Sequence, residues 1–152
     1  MIEAGEPAPD FTLANHKGEQ VSLADLRGRK TMLVFYPGDF SPTCTDQLSI
    51  YQEVVADITE RDAGLIGISV DSSPCHAAFR AKTGISFPLL ADFHPKGEVC
   101  RAYGALIEEC GHSNRSLVLV GDDGTVLWSH VPPTPLEIPG ANLIFDALDS
   151  AT

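Results

Sequence analysis

Basic residues, paired cysteines and long apolar runs are all scarce in this 152-residue chain. Ten Lys and Arg stand against 21 Asp and Glu, and the formal net charge of −11 repels the phosphates of nucleic acids and anionic membrane surfaces. No apolar run approaches the roughly 20 residues of a membrane-spanning helix. The first ten residues, MIEAGEPAPD, lack both the basic and the apolar region of a signal peptide. We therefore expect a cytoplasmic protein that binds neither nucleic acid nor membrane.

The spacing of cysteines and histidines argues against a metal site. The four cysteines, at positions 44, 75, 100 and 110, form no CxxC pair, and the five histidines show no HxH or HExxH spacing. The pattern does not fit a small disulfide-stapled domain either, so in a reducing cytoplasm we expect free thiols. We predict no metal and no bound cofactor.

The order of apolar segments predicts an α/β fold in a single domain over residues 1–152. Strands are predicted at 11–13, 20–22, 31–36, 65–70, 88–91, 116–120 and 125–130, and helices at 43–60, 74–83, 96–104 and 141–148. The central alternation of strands and helices is typical of βαβ units with parallel strands. The GDDG turn between the last two strands indicates an antiparallel hairpin. We therefore expect a mixed sheet, with the first two strands as a hairpin at its edge.

Cys44 stands where the predicted strand 31–36 gives way to a helix. Leu48, Tyr51 and Ile58 lie on one face of that helix, which puts Cys44 in its first turn. Backbone N–H groups in a first turn have no intrahelical partner, and the helix dipole favours negative charge, so the position stabilises a thiolate. A free cysteine is more often a small buried apolar residue, but this location favours a nucleophile.

Residues around Cys44 resemble a known family. Pro37, Ser41 and Cys44 match the PxxxTxxC motif of the peroxiredoxins, with serine in the place of threonine. Similarity continues through VDSSPCHAAFRAKTGISFPLLADFHPKGEVCRAYG and through SNRSLVLVGDDGTV, in which Arg115 precedes a strand. The chain most resembles the alkyl hydroperoxide reductase E-like branch. This resemblance implies a thioredoxin-like fold with an N-terminal hairpin extension and a mixed central sheet flanked by helices.

The resemblance also implies a thiol-dependent peroxidase that reduces hydrogen peroxide or alkyl hydroperoxides. Arg115 would hold thiolate and peroxide together, Ser41 would donate to the peroxide, and Pro37 would shield the thiolate from water. Ser41 followed by Pro42 also fits an ordinary helix N-cap, and the two roles are compatible. Thioredoxin, a glutaredoxin-like protein or a low-molecular-weight thiol would supply electrons to a homodimer. Gln47 is a secondary candidate for a hydrogen bond to Arg115.

Cys75 is the leading candidate for a second, resolving thiol. It opens the next predicted helix, where Ser72 or Ser73 can act as the cap and Pro74 suits the first position, so we expect its thiol to be somewhat acidic. A Cys44–Cys75 disulfide needs Cα atoms within about 7 Å and would require local unwinding of a first turn. An external thiol could reduce the oxidised Cys44 instead.

The remaining cysteines have plainer interpretations. Cys100 shares a predicted helix with Val99 and Tyr103, so we expect it to be an inert core residue. Cys110 lies in the loop that leads to Arg115, where it is either a surface residue or an alternative resolving thiol.

Two other functions are compatible with the pattern. A thioredoxin-like thiol-disulfide exchanger would use the same helix start, but Ser41 stands in the place of its first cysteine. It would also carry a proline before the strand 116–120, where this chain has Arg115. A redox-sensing binding protein, in which Cys44 only reports peroxide to a partner, is the third interpretation.

Overall fold

The computed structural model describes residues 1–151, which form nine strands and five α-helices. The strands are β1 (Thr12–Asn15), β2 (Gln20–Ser22), β3 (Lys30–Phe35), β4 (Ala63–Ser69), β5 (Leu89–Ala91), β6 (Leu106–Ile107), β7 (His112–Ser113), β8 (Leu117–Val120) and β9 (Val126–His130). The helices are α1 (Pro42–Glu53), α2 (Val55–Glu60), α3 (Ser73–Thr83), α4 (Glu98–Ala102) and α5 (Ala141–Ser150). A short 3₁₀ turn covers Leu23–Leu26.

Seven of these strands form one mixed sheet in the order β2-β1-β5-β4-β3-β8-β9. The central strands β3, β4 and β5 run parallel to one another, as βαβ connections require. Strand β8 pairs antiparallel with β3, and β9 pairs antiparallel with β8. The N-terminal hairpin of β1 and β2 joins the opposite side through β5. The predicted mixed sheet and edge hairpin are both confirmed.

Alternating side chains of the sheet form two apolar cores, one on each face. On β3, Met32 and Val34 point to one core and Leu33 and Phe35 to the other. Helices α1, α2, α3 and α5 pack on the first face. Helix α4 and the N-terminal segment cover the second. Both faces are buried, which explains the continuous apolar character of the central strands.

The predicted helix 43–60 is interrupted in the structure. Val54 has φ −112° and ψ 8°, outside helical values, and its N–H donates to the carbonyl of Tyr51, three residues back, at 3.1 Å. The chain turns there and resumes as α2, which keeps Ile58 in the first core. Apolar spacing alone cannot show this break because the residues on both sides face the same core. The two-residue strands β6 and β7 were also not predicted, since they are too short to show alternation.

The connectivity brings two helix starts to one edge of the sheet. Helix α1 follows β3, and α3 follows the neighbouring parallel strand β4. The carboxyl ends of parallel strands lie at the same edge, where open α/β sheets carry their ligand sites. Cys44 and Cys75 each lie in the first turn of their helix, as the sequence predicts, and occupy its third position. Across residues 1–151 no helix has the length and apolar character needed to cross a bilayer.

Replacing Gly67 with alanine tests the packing of the central strand β4. The added Cβ would lie 2.7 Å from Cδ2 of Leu89 and 3.1 Å from Cε1 of Tyr36, both in the core. We expect Gly67→Ala to lower the free energy of unfolding by about 1–3 kcal/mol, measured by denaturant titration.

Gly64→Ala is the matched control in the same strand. Its Cβ would lie 2.9 Å from Nη2 of Arg29, the far end of an exposed and flexible side chain. We expect a change within about 0.5 kcal/mol. Equal losses for the two variants would contradict the packing argument.

Candidate active site

Ser41 is the N-cap residue of α1. Ser41 has an extended backbone, Pro42 takes the first helical position, and the Ser41 Oγ accepts a hydrogen bond from the Cys44 N–H at 3.1 Å. The Ser41 carbonyl accepts from Thr45 twice, from its backbone N–H at 2.9 Å and its hydroxyl at 2.8 Å. The N-cap interpretation of Ser41 is therefore confirmed. Because its oxygen accepts from the backbone, the Ser41 hydroxyl proton remains available for another partner.

Arg115 reaches the sulfur of Cys44 from the turn that precedes β8. Its Nη1 lies 3.1 Å from Cys44 Sγ and donates at 2.8 Å to Oε1 of Gln47. Its Nε donates to the carbonyl of Pro135 at 2.5 Å. Cys44 is fully buried and Arg115 is only 3% exposed, so the positive charge acts on the sulfur with little screening by water. Both the guanidinium and the helix start place positive charge beside the Cys44 sulfur.

The turn before β8 fixes the position of Arg115. The Ser116 carbonyl accepts from the Phe35 N–H at 2.9 Å, and the Ser116 N–H donates to Oδ1 of Asn114 at 3.0 Å. Ser113 donates through its hydroxyl to the carbonyl of Tyr36, the residue that follows β3, at 2.9 Å. These bonds hold the segment that carries Arg115 against the end of β3, the strand that leads into α1.

A second set of contacts extends from Gln47 to the proline-rich loop, residues 131–140. The Gln47 amide donates to the Tyr51 hydroxyl at 3.1 Å, and that hydroxyl donates to the carbonyl of Pro139 at 2.6 Å. Burial raises the pKa of Tyr51 to about 12, so the phenol keeps its proton and remains a donor. The contact between Gln47 and Arg115 is predicted from the sequence, and the structure confirms it. The roles of Tyr51 and of the loop carbonyls are not predicted, because a backbone acceptor does not depend on residue identity.

Pro37 lies at the start of the loop between β3 and α1, where it is half-buried. Cys44 is thus hydrogen-bonded to Ser41 through its N–H and to Arg115 through its sulfur. Pro37 is placed on the same loop, and Cys75 lies at the neighbouring helix start.

Cys75 has the same position at a serine-capped helix start as Cys44, but its neighbouring groups are different. Ser72 is the N-cap of α3 and accepts from the Cys75 N–H at 3.3 Å. The Cys75 thiol donates to Oδ1 of Asp71 at 3.8 Å. Burial, followed by the negative charges of Asp71 and Asp39, raises the pKa of the Cys75 thiol to about 12. The prediction of an acidic Cys75 is therefore wrong, because desolvation and two carboxylates outweigh the helix start.

A buried polar cluster beside Cys75 was not foreseen from the sequence. Asp39 accepts from the Tyr36 hydroxyl at 2.6 Å and lies 2.7 Å from Nδ1 of His76. Asp71 accepts from the Asp39 N–H at 2.7 Å and from the Ser69 hydroxyl at 2.6 Å. An acidic residue inside the Cys44 motif and a histidine directly after Cys75 were the available signals.

The same cluster offers potential metal ligands. Atoms of Asp39, Asp71 and Cys75 lie within 4.8 Å of one another. The carboxylates are already engaged by protein donors, so this geometry does not in itself indicate an ion, and the absence of a metal stays a prediction.

The other cysteines lie outside this edge. Cys100 is buried in the second core, and burial together with Asp92 raises the pKa of its thiol strongly, in line with the expected inert residue. Cys110 is exposed, and all four thiols are unpaired.

Comparisons with known proteins agree with this arrangement. The model of the AhpC/TSA family matches residues 4–129. Alkyl hydroperoxide reductase E of Mycobacterium tuberculosis is 34% identical over 153 aligned positions, covering 100% of this chain and 99% of the relative. Peroxiredoxin tpx1 of Schizosaccharomyces pombe is 37% identical over 135 positions, covering 82% of this chain and 69% of the relative.

Solved structures share the fold over nearly the whole chain. Enterococcus faecalis AhpC superposes with a TM-score of 0.91 at 26% identity, covering 99% of this chain and 93% of the other. The bacterioferritin comigratory protein of Xanthomonas campestris gives 0.85 at 26% identity, covering 99% and 100%. The family model and these relatives span the part of the chain that carries Cys44 and Arg115. The chain therefore belongs to the AhpC/TSA family, the peroxiredoxins.

Proposed function

We propose that this protein is a thiol-dependent peroxidase in which the Cys44 thiolate reduces hydrogen peroxide or an alkyl hydroperoxide. The observation that carries the proposal is the 3.1 Å contact between Arg115 Nη1 and Cys44 Sγ at a buried helix start. An arginine at this position serves the reaction twice, because it favours the attacking thiolate and supplies donors for the peroxide.

In the first step the Cys44 sulfur attacks one oxygen of ROOH and the O–O bond breaks. The sulfur gains OH and becomes sulfenic acid, while the RO⁻ group leaves with the bonding electrons and takes a proton to give an alcohol or water. Negative charge develops on the departing oxygen. The bonds of Arg115 to Cys44, Gln47 and Pro135 use only Nη1 and Nε. We assign Nη2 to the peroxide.

Ser41 and Pro37 complete the site in this proposal. The Ser41 oxygen accepts from the Cys44 N–H, so its hydroxyl proton can point to a peroxide oxygen. Pro37 contributes an apolar wall with no N–H to attract water. These roles rest on the position of each residue in the motif together with the contacts of Ser41.

The sulfenic acid must be reduced by a second thiol before it oxidises further. Cys75 can serve only if its thiol leaves the Asp71 carboxylate and the helix start unwinds. With a pKa of about 12, roughly one Cys75 in 10⁴ is a thiolate at pH 8. We therefore favour an external thiol for the folded state, with Cys75 as the route that follows local unwinding.

The family implies peroxides as substrates and thioredoxin-type reductants. For this chain we propose thioredoxin, a glutaredoxin-like protein or a low-molecular-weight thiol as the electron donor. A cytoplasmic homodimer is also part of the proposal. Two exposed apolar side chains support contact between copies of the chain. They are Phe40, in the loop between β3 and α1, and Leu136, in the proline-rich loop.

Arg115→Lys tests the transition-state role of the guanidinium. Lysine keeps the charge but loses the planar set of donors that joins Cys44 and Gln47, so we expect the second-order rate constant of Cys44 oxidation by hydrogen peroxide to fall roughly 100-fold. Stopped-flow kinetics with a competing peroxidase substrate would measure it. The matched control is Arg61→Lys, because Arg61 is exposed and pairs with Asp149 on the surface. A loss below threefold at Arg115 would contradict the assignment.

Intact-protein mass spectrometry after one equivalent of peroxide distinguishes the two routes of reduction. We expect the mass of wild type and of Cys75→Ser to increase by one oxygen at Cys44, or by the mass of the trapping reagent when a sulfenic-acid trap is present. Cys44→Ser should gain neither. A loss of two hydrogens in wild type that is absent from both variants would instead establish the Cys44–Cys75 disulfide. No reaction at Cys44 at all would overturn the peroxidase proposal.

The pH dependence of alkylation tests the environment of Cys75. Its raised pKa keeps the thiol protonated through pH 9, so alkylation by iodoacetamide should still be rising with pH well above the ordinary thiol range. Asp71→Asn removes one negative charge and an acceptor but leaves the burial, so the pKa should fall only partly. We expect a several-fold faster alkylation at pH 8.5, read by peptide mass mapping. Cys100 in the same sample should be unchanged, and an unchanged Cys75 would refute the role of Asp71.

A further inference from the structure

We propose that Asp39 is a positioning residue for the peroxidase reaction, because its buried contact with His76 holds the loop that caps α1. This active-site loop, residues 37–41, joins β3 to α1 and carries Ser41. The inference rests on the proposed function of Cys44. Asp39 does not touch the sulfur or the site assigned to the peroxide, so it acts only through the loop.

The side chain of Asp39 is fully buried and bound on both oxygens. Oδ1 accepts from the Tyr36 hydroxyl at 2.6 Å, and Oδ2 lies 2.7 Å from Nδ1 of His76. The Asp39 N–H donates to Oδ2 of Asp71 at 2.7 Å. Three bonds thus tie one loop residue to the ends of β3 and β4 and to α3.

The surroundings of His76 define the atoms that this contact joins. Its Nε2 faces the carbonyl of Leu90 at 3.0 Å, and a carbonyl only accepts, so Nε2 is the donor there. Its Nδ1 faces Oδ2 of Asp39 at 2.7 Å, and both side chains are fully buried. Removing one member of such a buried pair leaves the other without its partner, which makes the anchor sensitive to single substitutions.

The backbone beside Asp39 indicates that the loop requires an anchor. Phe40 has φ +68°, a left-handed conformation that a bulky side chain rarely adopts. Such strain persists only where the surrounding contacts enforce it. The Phe40 ring is 52% exposed and makes one edge-on contact with Phe79, at 5.2 Å between centroids. Asp39 is therefore the principal tether of the residue that precedes Ser41.

Asp39 affects the chemistry at Cys44 through its neighbour in the chain, Ser41. Ser41 is two residues from Asp39, and its Oγ and carbonyl cap Cys44 and Thr45. A displaced loop would misplace this cap relative to Arg115, which is also held by the turn before β8 and by the proline-rich loop. A misplacement of about 1 Å in a catalytic group can cost up to 10²-fold in rate.

The test compares Asp39→Asn, His76→Gln and the double variant in the full-length protein. We expect each single variant to slow the oxidation of Cys44 by hydrogen peroxide at least tenfold. The double variant should be within about twofold of the slower single variant, because both remove the same contact. Amide hydrogen exchange across residues 40–46 should accelerate at least tenfold, while that of 117–120 in β8 should not change.

Asp92→Asn is the matched control, since Asp92 is a buried aspartate on the other face of the sheet. It accepts from the N–H groups of Val99 and Cys100 at 3.1 and 2.8 Å and caps α4. This variant should lose stability against denaturant yet oxidise Cys44 within twofold of wild type. Slowing by Asp92→Asn as large as that by Asp39→Asn would show a general stability effect and overturn the inference.

The remaining outcomes separate this inference from the proposed function. If wild-type Cys44 reacts rapidly with peroxide and Asp39→Asn is within twofold of it, only the positioning role is overturned. Equal acceleration of exchange in 40–46 and 117–120 would overturn it as well. If wild-type Cys44 reacts no faster than free cysteine, the peroxidase proposal is overturned, and the positioning role with it.

Discussion

The buried guanidinium of Arg115 is the constraint on which the site depends. A buried cation is costly unless it has well-placed partners, and here the sulfur of Cys44, the Gln47 amide oxygen and the Pro135 carbonyl provide them. These three acceptors come from α1 and the proline-rich loop, while Arg115 itself precedes β8. The helix start, the strand end and the loop must therefore be assembled together, and the thiol acquires its positive neighbour as a result of folding.

Two helix starts, each capped by a serine, lie at the same edge of the sheet. A positively charged group lies beside the cysteine of one, and a negatively charged group lies beside the cysteine of the other. Cys44 and Cys75 are both the third residue of a helix, and each donates its N–H to a serine three residues earlier. The helix dipole therefore acts alike on both sulfurs. The neighbours differ: Arg115, 71 residues away in the chain, lies against Cys44, whereas the carboxylate of Asp71, four residues earlier, lies against Cys75. Burial, followed by the carboxylates of Asp71 and Asp39, keeps the proton on Cys75, while Cys44 faces a positively charged partner.

The sequence predicted the features that local rules or the family motif determine and missed those that depend on burial or on distant pairs outside the motif. The mixed sheet, the cap by Ser41 and the contact between Gln47 and Arg115 follow from alternation, capping and motif position, and the structure contains all three. The break at Val54 was missed because apolar residues continue on the same face across it. The high pKa of Cys75 was missed because it depends on burial that no local pattern reports. The pairing of Asp39 with His76 spans 37 positions and joins two segments whose separate patterns look ordinary.

The contacts of the loop before α1 also bear on how the sulfenic acid is reduced. In the proposed cycle, a disulfide with Cys75 follows local unwinding of the start of α1 or α3. Asp39, in the loop before α1, is bonded to Asp71, which precedes α3, and to His76, which lies within it. Unwinding of α3 would break these contacts and withdraw the Asp71 acceptor from Cys75. An external thiol needs only access to the oxidised sulfur and leaves the cluster intact, which is why we propose an external thiol for the second step.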